Sequence, residues 1–175
     1  AIGEVTCMIF GGISPAFTRW IGSKRMAFVW AAVICFVTSV LYFFIPMDKA
    51  YIWLLIVVSV LTSVGAGIYS PLLWSMYADV ADFATEKFGA SSTGLIFSSG
   101  TMAQKFGGAI SGSLIAMLLG MAGLVSTTNE ATGETIVTIT DEESVKTMVW
   151  ALFSIFPAIM AGLMGILAYK FPLKK

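Results

Sequence analysis

Histidine is absent from this 175-residue sequence, cysteine occurs twice, and Asp, Glu, Lys and Arg together make up only 11% of it. The missing histidine removes His-based metal sites and Ser-His-Asp chemistry. Cys7 and Cys35 lie in apolar surroundings, where a thiol behaves as a small hydrophobe and gives no disulfide framework. Soluble domains carry about 25% charged residues. Ten acids and ten bases, against 58% hydrophobic residues and a mean hydropathy of +0.90, cannot build a water-facing surface for a chain of this size. Most of the surface must face lipid or protein, and the composition specifies a multi-span membrane protein. The formal net charge of zero supplies no field to hold phosphates, so no nucleic-acid partner is expected.

What is present is a row of apolar runs. Five transmembrane spans are predicted, at about 1–18, 26–45, 51–76, 94–124 and 147–169. Each approaches or exceeds the ~20 residues that cross ~30 Å of hydrocarbon. No alternating pattern suited to a barrel is seen, so the expected fold class is an all-α membrane protein. The first run begins without Met or a charged leader, which predicts a fragment rather than a signal peptide.

If five helices alternate, Arg19, Lys24, Arg25, Lys87, Lys170, Lys174 and Lys175 fall on one side, with only Lys49 and Lys146 on the other. The positive-inside rule then puts the C-terminus in the cytoplasm. The long outer loop carries Glu130, Glu134, Asp141, Glu142 and Glu143, and Thr140-Asp141-Glu142-Glu143 reads as a capping box. Thr135–Thr140, where Thr alternates with β-branched residues, has the pattern of a short strand or flap.

Lys105 is the residue that least belongs in lipid. Twelve residues from Thr93 at ~1.5 Å each place it about 18 Å deep, near the bilayer midplane. An ammonium there costs at least ~2.5 kcal/mol, so it requires a polar cavity or an acidic partner. A charge pair that merely ties two helices is the plain reading; a place on a transport pathway is the functional one. No acid on another complete span reaches that depth, and Glu4 is the one local candidate. The partner is therefore expected in a missing part of the protein. Gly108, Gly112, Ala116 and Gly120 form a small-residue stripe on the same helix, and Thr101 lies one turn before Lys105. Such a stripe alone is a packing motif; beside Lys105 it predicts a cavity-lining helix.

Asp79, Asp82 and Glu86 share a helical face just past the hydrocarbon, about 42 Å from Tyr51. Three readings compete: a solvated helix end, a divalent-metal site for a membrane-embedded transferase, and ion pairing with Arg19 and Arg25 that ties helix ends together. Upstream, Ser63, Gly65, Gly67 and Pro71 predict a broken or kinked span beside a cavity, with Tyr69 and Trp74 placed either to stack on a sugar or to pack the bundle.

The run Tyr69-Ser70-Pro71-Leu72-Leu73-Trp74-Ser75-Met76-Tyr77-Ala78-Asp79-Val80-Ala81-Asp82-Phe83 and the run Thr93-Gly94-Leu95-Ile96-Phe97-Ser98-Ser99-Gly100-Thr101-Met102-Ala103-Gln104-Lys105-Phe106-Gly107 together resemble the glycoside-pentoside-hexuronide:cation symporters of the major facilitator superfamily, the family that includes melibiose permease. The likeness covers nearly the whole chain, as helices eight to twelve, and implies the C-terminal bundle of a secondary active transporter. It implies a sugar or glycoside substrate, a coupling Na⁺ or H⁺, no other cofactor, and a missing N-terminal bundle that bears most of the binding carboxylates. It further implies an inner-membrane location. Residue by residue, it implies Lys105 and Thr101 in or beside the sugar and cation path, and Asp79, Asp82, Arg19 and Arg25 at a cytoplasmic gate. Ser70 stands where a sugar-stacking tryptophan would be expected, which leaves Tyr69 or Trp74 to take that role. A basic residue that many relatives carry after the acidic pair is missing from Gly89-Ala90-Ser91-Ser92-Thr93. A transferase using Asp79 and Asp82, and a structural membrane subunit, remain the alternative functions.

Overall fold

The computed structural model describes residues 2–46, 49–89, 92–128 and 135–171. The sequence expectations on Glu130, Glu134, Lys174 and Lys175, and the side chain of Lys49, lie outside the described residues. The elements run α1 (Ile2–Ile21), α2 (Lys24–Phe44), a 3₁₀ turn (Lys49–Tyr51), α3 (Ile52–Phe88), α4 (Thr93–Met121), β1 (Leu124–Thr128), β2 (Thr135–Ile139) and α5 (Glu142–Tyr169). Among the described residues the fold is all-α apart from one pair of strands. Four helices, α2 to α5, are long and apolar enough to cross a membrane. The 20-residue α1 is not among those four, although it forms over the stretch read as the first span.

Two chain reversals are set by glycine. Gly22 at φ +80° closes α1 through its N–H to Thr18 O at 2.9 Å, and Gly89 at φ +69° closes α3 on Thr85 O in the same way. Both adopt the left-handed conformation that a side chain would resist, so the helices stop there. Only Gly22 and Ser23 separate α1 from α2, which fixes their basic ends beside each other.

α2 packs on α5 and α3, and α1 packs on α3. Small residues make each seam close. An added Cβ at Gly67 of α3 would meet Cys7 O of α1 at 2.6 Å, and one at Gly65 would meet Cys35 Sγ at 2.6 Å and Ala31 O of α2 at 3.1 Å. On the α2–α5 seam Gly165 lies over Ala32, and Gly162 over the ring of Phe36. Without a hydrophobic force between helices in lipid, this close approach of backbones is what holds the bundle together. Ala27, Phe28 and Ala31 of α2, Ile68, Leu72 and Met76 of α3 and Ala168 of α5 form the buried cluster.

Of the break or kink expected at Pro71, the break does not appear: α3 is one continuous helix of 37 residues. Proline leaves the Gly67 carbonyl without an N–H donor in its own helix. α1 covers that turn, and Ser14 of α1, only 2% exposed, donates through Oγ to Ile68 O at 3.1 Å. A neighbouring helix therefore supplies polar support where the proline loosens the ladder. Gly65 and Gly67 serve close packing rather than a break.

At the other end, β1 and β2 pair antiparallel, with Leu124 opposite Ile139 and Thr128 opposite Thr135. The strand pattern in Thr135–Thr140 is realised, while its partner begins inside the stretch read as the end of the fourth span. The cap of α5 also moves by one residue: Asp141, not Thr140, occupies the N-cap, accepting from Ser144 N at 3.2 Å and Ser144 Oγ at 2.6 Å. These bonds to Ser144 hold the Asp141 carboxyl below its usual range.

Candidate functional site

At the end of the bundle where α1 meets α2, Lys24 donates through Nζ to both carboxylate oxygens of Asp79, at 2.8 and 2.9 Å. The expected partners of Asp79, Arg19 and Arg25, are thus replaced by their neighbour. Successive helical residues point about 100° apart, so on the first turn of α2 Lys24 reaches α3 while Arg25 reaches α5. Arg25 Nη1 donates to Phe171 O at 3.3 Å, and its guanidinium lies 5.8 Å from the centre of the Tyr169 ring. Cations at a helix N-terminus oppose its dipole. Here Asp79 compensates one, and the carbonyl end of α5 compensates the other. Arg19 and Asp82 are exposed, with no ion pair to either among the described residues. The Lys24–Asp79 pair keeps side-chain exposures of 35% and 25%, so it is worth only about 0–1 kcal/mol as a static link.

α4 is different. Of its 29 residues only Gly100 is buried, and every residue from Thr101 to Met117 is exposed. Lys105 lies within that stretch, with no carboxylate within 4 Å among the described residues, Glu4 included. The hydroxyl of Thr101 donates to its own helix, to Phe97 O at 2.8 Å. Added Cβ atoms at Gly107, Gly108, Gly112 and Gly120 would meet nothing within 4 Å. The stripe and the ammonium share a helix that no other described element covers along its middle.

Tyr69 and Trp74 point to different neighbours. Tyr69 meets the edge of Phe28 on α2, with centroids 6.0 Å apart. Trp74 stacks on Phe97 of α4 at 6.1 Å and 10°, with Tyr77 set edge-on to both at 5.6 and 6.3 Å. Gly100 lets the Tyr77 ring close onto α4, since an added Cβ would lie 2.5 Å from Cε2. This aromatic joint ties α3 to α4 at Phe97 and Gly100, which precede Lys105 by about 12 and 8 Å along the helix. Thr101 and Lys105 lie one turn apart on α4 and Trp74 meets that helix at Phe97, whereas Tyr69 turns to Phe28 of α2. The joint was legible in part: Trp74 and Tyr77 lie three apart, as do Phe97 and Gly100, and such spacings share a helix face.

Among the described residues no group of three or more His, Cys, Asp or Glu could hold a metal ion. Both oxygens of the Asp79 carboxylate accept from the Lys24 ammonium.

The profile of the family described as "MFS/sugar transport protein" matches residues 2–175. The chain is 29% identical over 139 residues to the "Uncharacterized 29.9 kDa protein in crtE 3'region" of Pseudescherichia vulneris, covering 79% of this chain and 46% of that protein. It is 27% identical over 164 residues to the "Inner membrane symporter YicJ" of Escherichia coli (strain K12), covering 94% of this chain and 33% of that protein. The chain thus spans less than half the length of these curated relatives. No solved structure matches.

Proposed function

Because this chain belongs to the MFS/sugar transport protein family, we propose that it forms part of a secondary active symporter that imports a sugar or glycoside together with Na⁺ or H⁺ by alternating access. The family is one of transport proteins, and membership replaces the transferase built on Asp79 and Asp82. The observation that carries the proposal is Lys105: a cation near the centre of a 29-residue apolar helix, exposed and without a carboxylate among the described residues.

An uncovered ammonium at that depth is tolerated only against water, substrate or an acid. In the proposed transporter, carboxylates of an N-terminal bundle outside this chain supply the acid, and the coupling ion competes with Lys105 for them. With no ion bound, Lys105 neutralises the emptied site and lets it reorient; when Na⁺ or H⁺ arrives, the carboxylates are released to bind it with the sugar. Thr101, one turn away, offers a hydroxyl oxygen to the same path. Lys24 and Asp79 close the cytoplasmic end in one conformation and separate in the other, a role that suits a pair of small static worth. Asp82, three residues beyond Asp79 on α3, and Arg19 and Arg25, at the facing ends of α1 and α2, belong to the same proposed gate. The C-terminus is cytoplasmic in this orientation, and the inner membrane, where the related symporter resides, is the proposed location.

The test is uptake of labelled glycosides into sealed vesicles containing the purified protein, under imposed Na⁺ or proton gradients. Accumulation that collapses with the gradient is expected. Accumulation unaffected by ionophores overturns the coupling. A gradient-independent, metal-dependent conversion of substrate restores the transferase, and no uptake or conversion by the whole protein leaves a structural subunit.

A further inference from the structure

We infer that the basic end of the bundle holds an anionic phospholipid, with an acyl chain in an apolar slot between the helices and its phosphate on Arg25. The slot has a volume of about 330 Å³ and is lined by Phe28 of α2, Leu73 and Val80 of α3, Ile96 of α4, Leu167 of α5 and Phe171. For scale, an apolar cavity of about 150 Å³ accepts benzene. Left empty, an open apolar slot of this size among helices long enough to cross the bilayer would forfeit contacts along its walls, and the molecule at hand to supply them is a lipid chain.

The mouth specifies the headgroup. Phe171, which lines the slot, accepts a hydrogen bond from Arg25 through its carbonyl, and Arg25 precedes the slot residue Phe28 by three positions on α2. Among the described residues Arg25 has no carboxylate within 4 Å, whereas its neighbour Lys24 is neutralised by Asp79. Lys24 thus has a counter-anion, whereas Arg25 has a neutral carbonyl and a ring as its partners and keeps its net positive charge. A guanidinium has five N–H donors, and its planar fork suits the two free oxygens of a phosphodiester. Basic pockets between spans at this interface take anionic headgroups for that reason. The inference concerns a site separate from the transport path through Lys105.

Native mass spectrometry of the purified protein, released from mixtures of phosphatidylglycerol and phosphatidylcholine, tests it. The expected result is a retained phosphatidylglycerol that outcompetes phosphatidylcholine. Arg25→Gln should reduce that preference about fivefold, while Lys87→Gln, an exposed cation at the end of α3, should leave it unchanged. Filling the slot from either side, by Leu73→Trp or Ile96→Trp, should release the lipid, and two variants on different helices guard against one failing to fold. The proposal is overturned if the wild type retains no lipid or shows no preference, if Arg25→Gln keeps the full preference, if Lys87→Gln loses as much, or if both folded tryptophan variants still retain the lipid.

Discussion

The two glycine-rich faces of this chain have opposite fates. In α3, Gly65 and Gly67 are buried and clasped by α2 and α1, so close that an added Cβ would lie 2.6 Å from Cys35 Sγ or from Cys7 O. In α4, Gly108, Gly112 and Gly120 face nothing within 4 Å, and a lysine stands among them. The same residue type is structural in one place and uncommitted in the other. Small-residue stripes report where another helix is able to come close, and only the neighbouring chemistry reports whether that helix is there to stay. The α3 stripe adjoins apolar residues and a buried serine bond; the α4 stripe adjoins an ammonium.

Breaking the clasped face should give the largest effect on stability. Gly67→Ala forces Cβ against the backbone of Cys7, and overpacking of this kind costs about 1–3 kcal/mol. Gly112→Ala meets nothing and should cost no stability in this chain, with a gain of up to about 1 kcal/mol from helix propensity. Unfolding titrations of both variants in mixed micelles check the contrast, and equal losses would erase it.

A smaller effect is expected at the basic end. Separating Lys24 from Asp79 by Lys24→Gln should change stability by no more than about 1 kcal/mol, yet shift the balance of inward-open and outward-open states. Cysteine accessibility in the inner cavity reads that shift, and the exchange of Lys24→Asp with Asp79→Lys should restore it. Unchanged accessibility would remove the pair from the gate.

The smallest effect concerns Asp141. Its carboxyl sits below the ordinary value of 3.8, so the folded chain favours the charged form, and the cap is in place at neutral pH. The contribution begins to fade as pH falls below that ordinary value and is lost as pH passes through the lower folded one. Protection of the Ser144 N–H against exchange, taken relative to the intrinsic rate at each pH, should therefore hold from pH 7 to about pH 5 and fall only under stronger acid. Loss of protection above that range would contradict the cap.

The apolar runs made the helices legible, because length and hydropathy alone decide what crosses a membrane. The acids near the end of α3 and the lysine within α4 stood out for a related reason: charge is conspicuous where little charge exists. Other features depended on partners distant in sequence. The continuity of α3 through Pro71 rests on Ser14, 54 residues before Ile68. The choice of Lys24 over Arg25 as partner of Asp79 rests on which helix each side of α2 faces. The strand β1 was hidden because its Leu124 and Val125 continue the apolar run of α4. Trp74 and Tyr69 were both named as aromatics of one region, but only packing shows that they serve different seams.

Gradient-driven glycoside accumulation by the Lys105→Met variant, measured in sealed vesicles with insertion and folding verified, tests the central claim most directly. Methionine matches the length of lysine and avoids the cost of a buried charge, so a structural role alone would be preserved or improved. Loss of ion-coupled accumulation in a folded, inserted protein is the predicted result; normal coupled accumulation would reduce Lys105 to a charge without function and end the mechanism built on it.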